Sequence, residues 1–173
     1  VTATLGKIAN EIAILMRTEI DEVREPYEPG RGASSTMPQK RNPIACQPVI
    51  AAAHRLRELS GCALSAMCQE HERPVGPMHL EWSIVPDAFL YTSGACMHAR
   101  AILEGLTVDA ENMKRNLAGA GGFLLAEAVM MGLAPHTGRN QAHDIVYAAA
   151  SRAIEAGESL RWGLVHDPAI TEL

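Results

Sequence analysis

The sequence predicts an all-α protein on three observations. Hydrophobic residues fill 47% of the 173 positions while aromatics fill only 4%. The apolar content is therefore carried by Ala, Leu, Ile, Val and Met, a mixture that favours helices packed closely through small side chains. Apolar residues recur at three-and-four spacing over long stretches, which draws one face of a helix. No alternation of period two marks a strand, and no internal repeat or low-complexity tract interrupts the pattern. The length suffices to bury a core without staples, as one domain or as one with a small second.

The first helix begins near Leu5, with Ile8, Ile12, Leu15, Met16, Ile20 and Val23 on one stripe, and ends at Glu25-Pro26, where the residue before proline disfavours helical angles. A loop follows. Helix sequence resumes between Ile44 and Pro48 and runs to about Met67, with Val49, Ala53, Leu56, Leu59, Ala63 and Met67 inward. The proline-rich break 69–77 leads into a third long helix, about Met78 to Glu104. Its stripe is Trp82, Val85, Phe89, Cys96 and Leu103, and Pro86 kinks it. After Gly105-Leu106-Thr107-Val108 the helices shorten, which predicts a bundle over 1–106 and a small helical domain over 107–173. Asp109 caps a helix to about Leu117, Phe123 to His136 and Asn140 to Ala156 form two more, and Asp167-Pro168 marks a turn.

A net charge of -5 and a pI near 5.8 argue against nucleic acid or an anionic membrane as partner, so an anion site must be local. No run approaches the length of a membrane span and no secretory pattern is present. The four cysteines, 46, 62, 68 and 96, make no C-x-x-C pair and lie in helical sequence. They are expected as reduced, small apolar side chains in a cytoplasmic compartment. Val1-Thr2-Ala3-Thr4 carries no initiating methionine and leads straight into helix, so the chain is expected to be a fragment.

The loop 30–43, Gly-Arg-Gly-Ala-Ser-Ser-Thr-Met-Pro-Gln-Lys-Arg-Asn-Pro, suits chemistry better than packing. Its glycines permit unusual backbone angles and its prolines forbid simple helix continuation, so it is expected to act as a lid. Lys40 and Asn42, two apart, reach one anion from an extended backbone, with Arg31 and Arg41 adding positive field. From composition alone, loop serines are more often solvated than catalytic.

Ser34-Ser35-Thr36-Met37-Pro38-Gln39-Lys40-Arg41-Asn42-Pro43 resembles the signature loop of the fumarase/aspartase superfamily, G-S-S-x-M-P-x-K-x-N. Every fixed position matches except the first, where Ala33 stands for glycine. The resemblance implies a long-helix central bundle followed by a small helical C-terminal domain. It implies that Ser34 is the base that removes a proton beside a substrate carboxylate, with Ser35 in reserve, and that Met37, Lys40 and Asn42 line or contact the substrate. A serine oxyanion needs fixed positive potential, which Lys40, Arg41 and loop amides can supply.

A second stretch, Gln69-Glu70-His71-Glu72-Arg73 with His79-Leu80-Glu81-Trp82 and Pro86-Asp87, resembles the bacterial 3-carboxy-cis,cis-muconate cycloisomerases, as do 104–109 and 113–117. Adenylosuccinate lyases share Glu72-Arg73 and Pro86-Asp87 but usually place a serine and an arginine for the nucleotide phosphate where His79 and Trp82 stand. Loss of that arginine weakens a nucleotide reading. Arg73 and His79 become candidate carboxylate contacts, with a packed or surface histidine as the competing reading.

The implied reaction is a cofactor-free lactonisation in aromatic-acid degradation, and the implied partners are a small polycarboxylate and three further copies in a homotetramer. The family's sites form where three subunits meet, and part of each lies outside these residues. A fumarate-releasing lyase and a non-catalytic assembly fragment are the alternatives. Glu70-His71-Glu72 is not a metal motif, since helix neighbours do not share a face. Gly30-x-Gly32 is no dinucleotide fingerprint and no P-loop occurs, so neither metal nor cofactor is expected. His54, His98, His136, His143 and His166 stand singly.

Overall fold

A computed structural model describes residues 1–27, 37 and 40–171. The elements in order are α1 (Thr2–Leu15), β1 (Val23–Arg24), α2 (Cys46–Ala66), α3 (Pro77–Glu104), β2 (Thr107–Val108), α4 (Ala110–Gly119), a short 3-10 turn (Phe123–Leu125), α5 (Ala126–Thr137), α6 (Arg139–Ala156), α7 (Leu160–Val165) and α8 (Pro168–Thr171). The fold class is all-α. The chain forms two compact units, Val1–Ala110 and Glu111–Leu173. Among the described residues no single helix is long and apolar enough to cross a membrane.

In the first unit α2 packs against both α1 and α3. The α1–α2 contact is close because Gly6 has no side chain: a methyl added there would lie 2.5 Å from Ala53 Cβ. Ala9, Ile12, Val49, Ala52, Ala53, Leu59, Ala95, Ala99 and Ile102 form the core. Small residues at these positions let the helix axes approach.

The first helix ends earlier than the apolar stripe predicts. It stops at Leu15, and the chain then turns through Asp21, whose φ is 48°. Val23 and Arg24 pair antiparallel with Val108 and Thr107, and the Asp109 N–H donates to the Glu22 carbonyl at 2.8 Å. Val23 remains buried, so the stripe continued in the sequence although the helix did not. A two-residue strand is too short to show alternation, and only its distant partner, Val108 opposite Val23, creates it.

The predicted inner faces of α2 and α3 also need correction. Val49, Ala53 and Leu59 are buried, but Ala63 and Met67 are exposed. The 14 residues of α1 cannot cover the 21 of α2. On α3 the expected stripe is outward: Trp82 is 65% and Phe89 74% exposed, and Val85, Cys96 and Leu103 are exposed too. The buried positions are Ile84, Ala95, Ala99 and Ile102. Within this chain α3 uses its small-residue face and leaves its large-residue face uncovered. The helix runs from Pro77 to Glu104 with Pro86 inside it.

The second unit centres on α6, whose Ala142, Ile145, Val146, Ala149 and Ala153 are buried. Gly138 (φ 84°) precedes it, and Gly157 at φ 69° ends it in the left-handed conformation favoured at a helix C-terminus. Ser159 caps α7 by accepting from the Trp162 N–H. The tail forms α7 and α8 where the sequence predicts only a turn at Asp167-Pro168. Asp167, buried in this unit, accepts from the Arg152 guanidinium and from the Ala169 N–H at 2.9 Å. Those bonds compensate its removal from water.

Candidate functional site

Ser34 and Ser35 lie outside the described residues. Met37, Lys40 and Asn42 lie within them and line a cleft of about 1470 Å³ at the base of the loop. The end of α1, the segment around β1, the residues preceding α2 and the end of α3 form its walls, through Met16, Arg17, Arg24, Glu25, Ala45, Ile102 and Glu104 among others. The cleft therefore exists because three helix ends and the β1–β2 pairing converge there.

Its cations differ in availability. Arg24 is committed: its Nε and Nη2 donate to the two carboxylate oxygens of Asp21 at 3.0 and 2.6 Å, and Asp109 lies 3.9 Å away. The Asp21 hydrogen bonds and charge, with a smaller effect from Asp109, hold the guanidinium pKa above its usual value. The Arg41 guanidinium sits 3.6 Å over the Tyr27 ring, a cation–π contact tying the two sides of the loop. Among the described residues no carboxylate is within ion-pair distance of the Lys40 ammonium. Lys40 is exposed and Asn42 half-buried, and the Lys40 N–H donates to the Met37 carbonyl at 3.1 Å. A flexible ammonium beside a planar amide suits recognition of a carboxylate by charge and hydrogen bond.

Glu25 is a residue that the sequence reading passed over as a helix terminator. Its carboxylate accepts the Ala45 N–H at 3.0 Å and the Cys46 N–H at 2.7 Å, capping α2 from 20 residues away. A following proline and a charged side chain gave no signal of that contact. Cys46 is fully enclosed beside it. Burial first, then the Glu25 hydrogen bond and charge, push the thiol pKa well up. The folded-state pKa is thus raised above an unfolded value of about 8.5, so Cys46 contributes stability that is present below about pH 8.5 and lost as pH rises beyond it. In native protein treated with iodoacetamide at pH 8, Cys46 is expected to stay unmodified, and to be alkylated in urea. Alkylation of Cys46 in native protein, read by peptide mass mapping, would contradict the enclosed thiol.

Arg73 and His79 do not line the cleft. Arg73, at φ 50°, follows the C-terminal end of α2, and His79 sits in the first turn of α3 with its ring 4.8 Å edge-on from Trp82. Lys40 and Asn42 precede the opposite end of α2. A 21-residue helix separates the two groups by about 30 Å, so one chain does not bring them together. Among the described residues no three of His, Cys, Asp and Glu converge as a metal site would require.

Two family models match: "Lyase" over residues 1–57 and "Adenylosuccinate lyase C-terminus" over residues 122–173. The 3-carboxy-cis,cis-muconate cycloisomerase of Acinetobacter baylyi is 46% identical over 161 residues, covering 93% of this chain and 36% of that protein. This chain belongs to the fumarase/aspartase superfamily. Solved superfamily structures superpose on nearly all of it: the 3-carboxy-cis,cis-muconate lactonizing enzyme of Pseudomonas putida gives a TM-score of 0.83 at 41% identity. The fumarate lyase of Mesorhizobium sp. BNC1 gives 0.86 at 41%. Each match covers 99% of this chain and 37% of the other, so the chain spans little more than a third of its superfamily relatives.

Proposed function

We propose that this chain contributes the signature loop of a cofactor-free cycloisomerase that lactonises 3-carboxy-cis,cis-muconate. The observation that carries the reading is the conjunction of the loop residues Lys40 and Asn42 on one cleft with 46% identity to a cycloisomerase. In this reaction one substrate carboxylate oxygen bonds to an alkene carbon, and the neighbouring carbon takes a proton. Charge develops as an enolate-like carboxylate beside that carbon. Lys40 and Asn42 stabilise it and Ser34 handles the proton, with Ser35 next to it and Met37 on the apolar side. Stabilisation of the developing charge by groups already in place supplies much of the acceleration.

The substrate's further carboxylate is met by Arg73 and His79. Because about 30 Å of helix separates them from Lys40 within one chain, a complete site draws on more than one copy. The uncovered Trp82, Phe89 and Leu90 of α3 support association of that helix with further helices, in a homotetramer. Free thiols at all four cysteines support a reducing cytoplasmic setting.

The match of residues 122–173 to the adenylosuccinate lyase C-terminus supports a second reading, a fumarate-releasing lyase. The test is an ultraviolet assay on the protein that carries this chain, with 3-carboxy-cis,cis-muconate as substrate. Loss of the conjugated diene without fumarate is expected. Fumarate release from adenylosuccinate, with the muconate untouched, would favour the lyase and overturn the cycloisomerase.

A further inference from the structure

The two ends of the loop 26–44 are held very differently. The upstream end is fixed several times over, by the β1–β2 pairing, by the bond from the Asp109 N–H to the Glu22 carbonyl and by the Arg24–Asp21 pair. Pro26 also packs where a methyl on Gly105 would sit, 2.6 Å from its Cβ. The downstream end is joined to this frame by the two bonds from the Ala45 and Cys46 N–H groups to Glu25. Among the described residues Arg41 over Tyr27 is a further tie across the loop.

We propose that Glu25 is the positioning residue of the signature loop: its carboxylate fixes the downstream end and with it the placement of Asn42 and Lys40. The proposal rests on the reading that those two residues meet the substrate. Asn42 lies three residues before the clamped Ala45, and the short path between them is folded by the Ile44 N–H to Asn42 carbonyl bond at 2.9 Å and the Gln47 N–H to Pro43 carbonyl bond at 3.2 Å. A shift at Ala45 therefore passes directly to Asn42. The chemistry calls for a carboxylate, since two N–H donors side by side need two acceptors, and the positive end of α2 favours negative charge. An amide turns its NH2 towards one of the donors. Glu25 also occupies the α2 N-terminus, which leaves substrate anions to Lys40 and Asn42.

The experiment uses two variants of the protein that carries this chain, Glu25→Ala and Glu25→Gln, the latter keeping one acceptor should the former fail to fold. Limited trypsin digestion followed by mass spectrometry measures cleavage after Lys40 and Arg41 relative to all other sites, and kcat and KM are measured with 3-carboxy-cis,cis-muconate. Glu25→Ala is expected to raise cleavage at those two sites about tenfold and to lower kcat/KM by about tenfold or more, with Glu25→Gln between it and the unaltered protein. Added formate, which refills the vacated acceptor position, is expected to recover part of both losses. Unchanged relative cleavage at Lys40 and Arg41 would overturn the proposal. So would a uniform rise in cleavage at all sites together with a fall in melting temperature, which is the signature of a stabilising role alone. If the unaltered protein leaves the muconate untouched, the substrate reading fails while the cleavage ratio still decides the clamp.

Discussion

Ser34→Ala, made in the protein that carries this chain, is expected to leave assembly intact and to lower kcat by about 10²- to 10⁴-fold, the range for loss of a positioned proton-transfer group. The substitution removes a single hydroxyl, and an unchanged melting temperature is expected to accompany the loss of turnover. KM is expected to stay within about threefold, because on the proposed reading ground-state binding falls to Lys40 and Asn42 and survives the substitution. Ser35→Ala is the internal control and is expected to cost far less. Near-normal turnover in Ser34→Ala would remove the serine from the mechanism. Equal losses in both variants would point to a disturbed loop rather than to one lost proton carrier.

The largest effect on stability is expected at Gly163. It lies in α7 where that helix crosses α6, and a methyl there would sit 2.2 Å from the Ala149 carbonyl oxygen and 3.0 Å from Ala153 Cβ. The obstacle is mostly backbone, and Ala149 and Ala153 are both fully enclosed, so neither can swing aside. Gly163→Ala is expected to destabilise the unit Glu111–Leu173 by about 3 kcal/mol, the upper part of the usual range for overpacking. Gly132→Ala is the matched control in the same unit: nothing lies within 4 Å of a methyl there and its φ is not positive. Within α5 that change is expected to be neutral or stabilising by up to about 1 kcal/mol. Urea unfolding of both variants beside the unaltered protein measures the difference. Equal midpoints for Gly163→Ala and the unaltered protein would show that α6 and α7 do not cross so closely.

Glu25 illustrates why part of the site was hidden from sequence reading. Its identity as a glutamate before a proline points only to the end of a helix, whereas its partners are two backbone N–H groups 20 and 21 residues away. A backbone donor carries no residue-type signature, so nothing at positions 45 and 46 advertises the contact. Lys40 and Asn42 are the opposite case. Their spacing in an extended stretch and the surrounding glycines and prolines mark them locally, and the structure sets both on one cleft. Arg73 and His79 were legible as residue types, but the 21 residues of α2 keep them apart from the loop within one chain.

By itself the sequence determined the helical class, most helix boundaries after Ile44 and the superfamily, because helix period, proline breaks and a contiguous motif are all local properties. Only the tertiary structure decided where α1 stops, which face of α3 is buried and how the loop is clamped. Both ends of the α1 question turn on Val23 meeting Val108. The face of α3 turns on which neighbours reach it: Ala95 and Ala99 allow helices to approach closely, while Trp82 and Phe89 stay outward. An apolar stripe says that a face will be covered, and long-range packing chooses the cover.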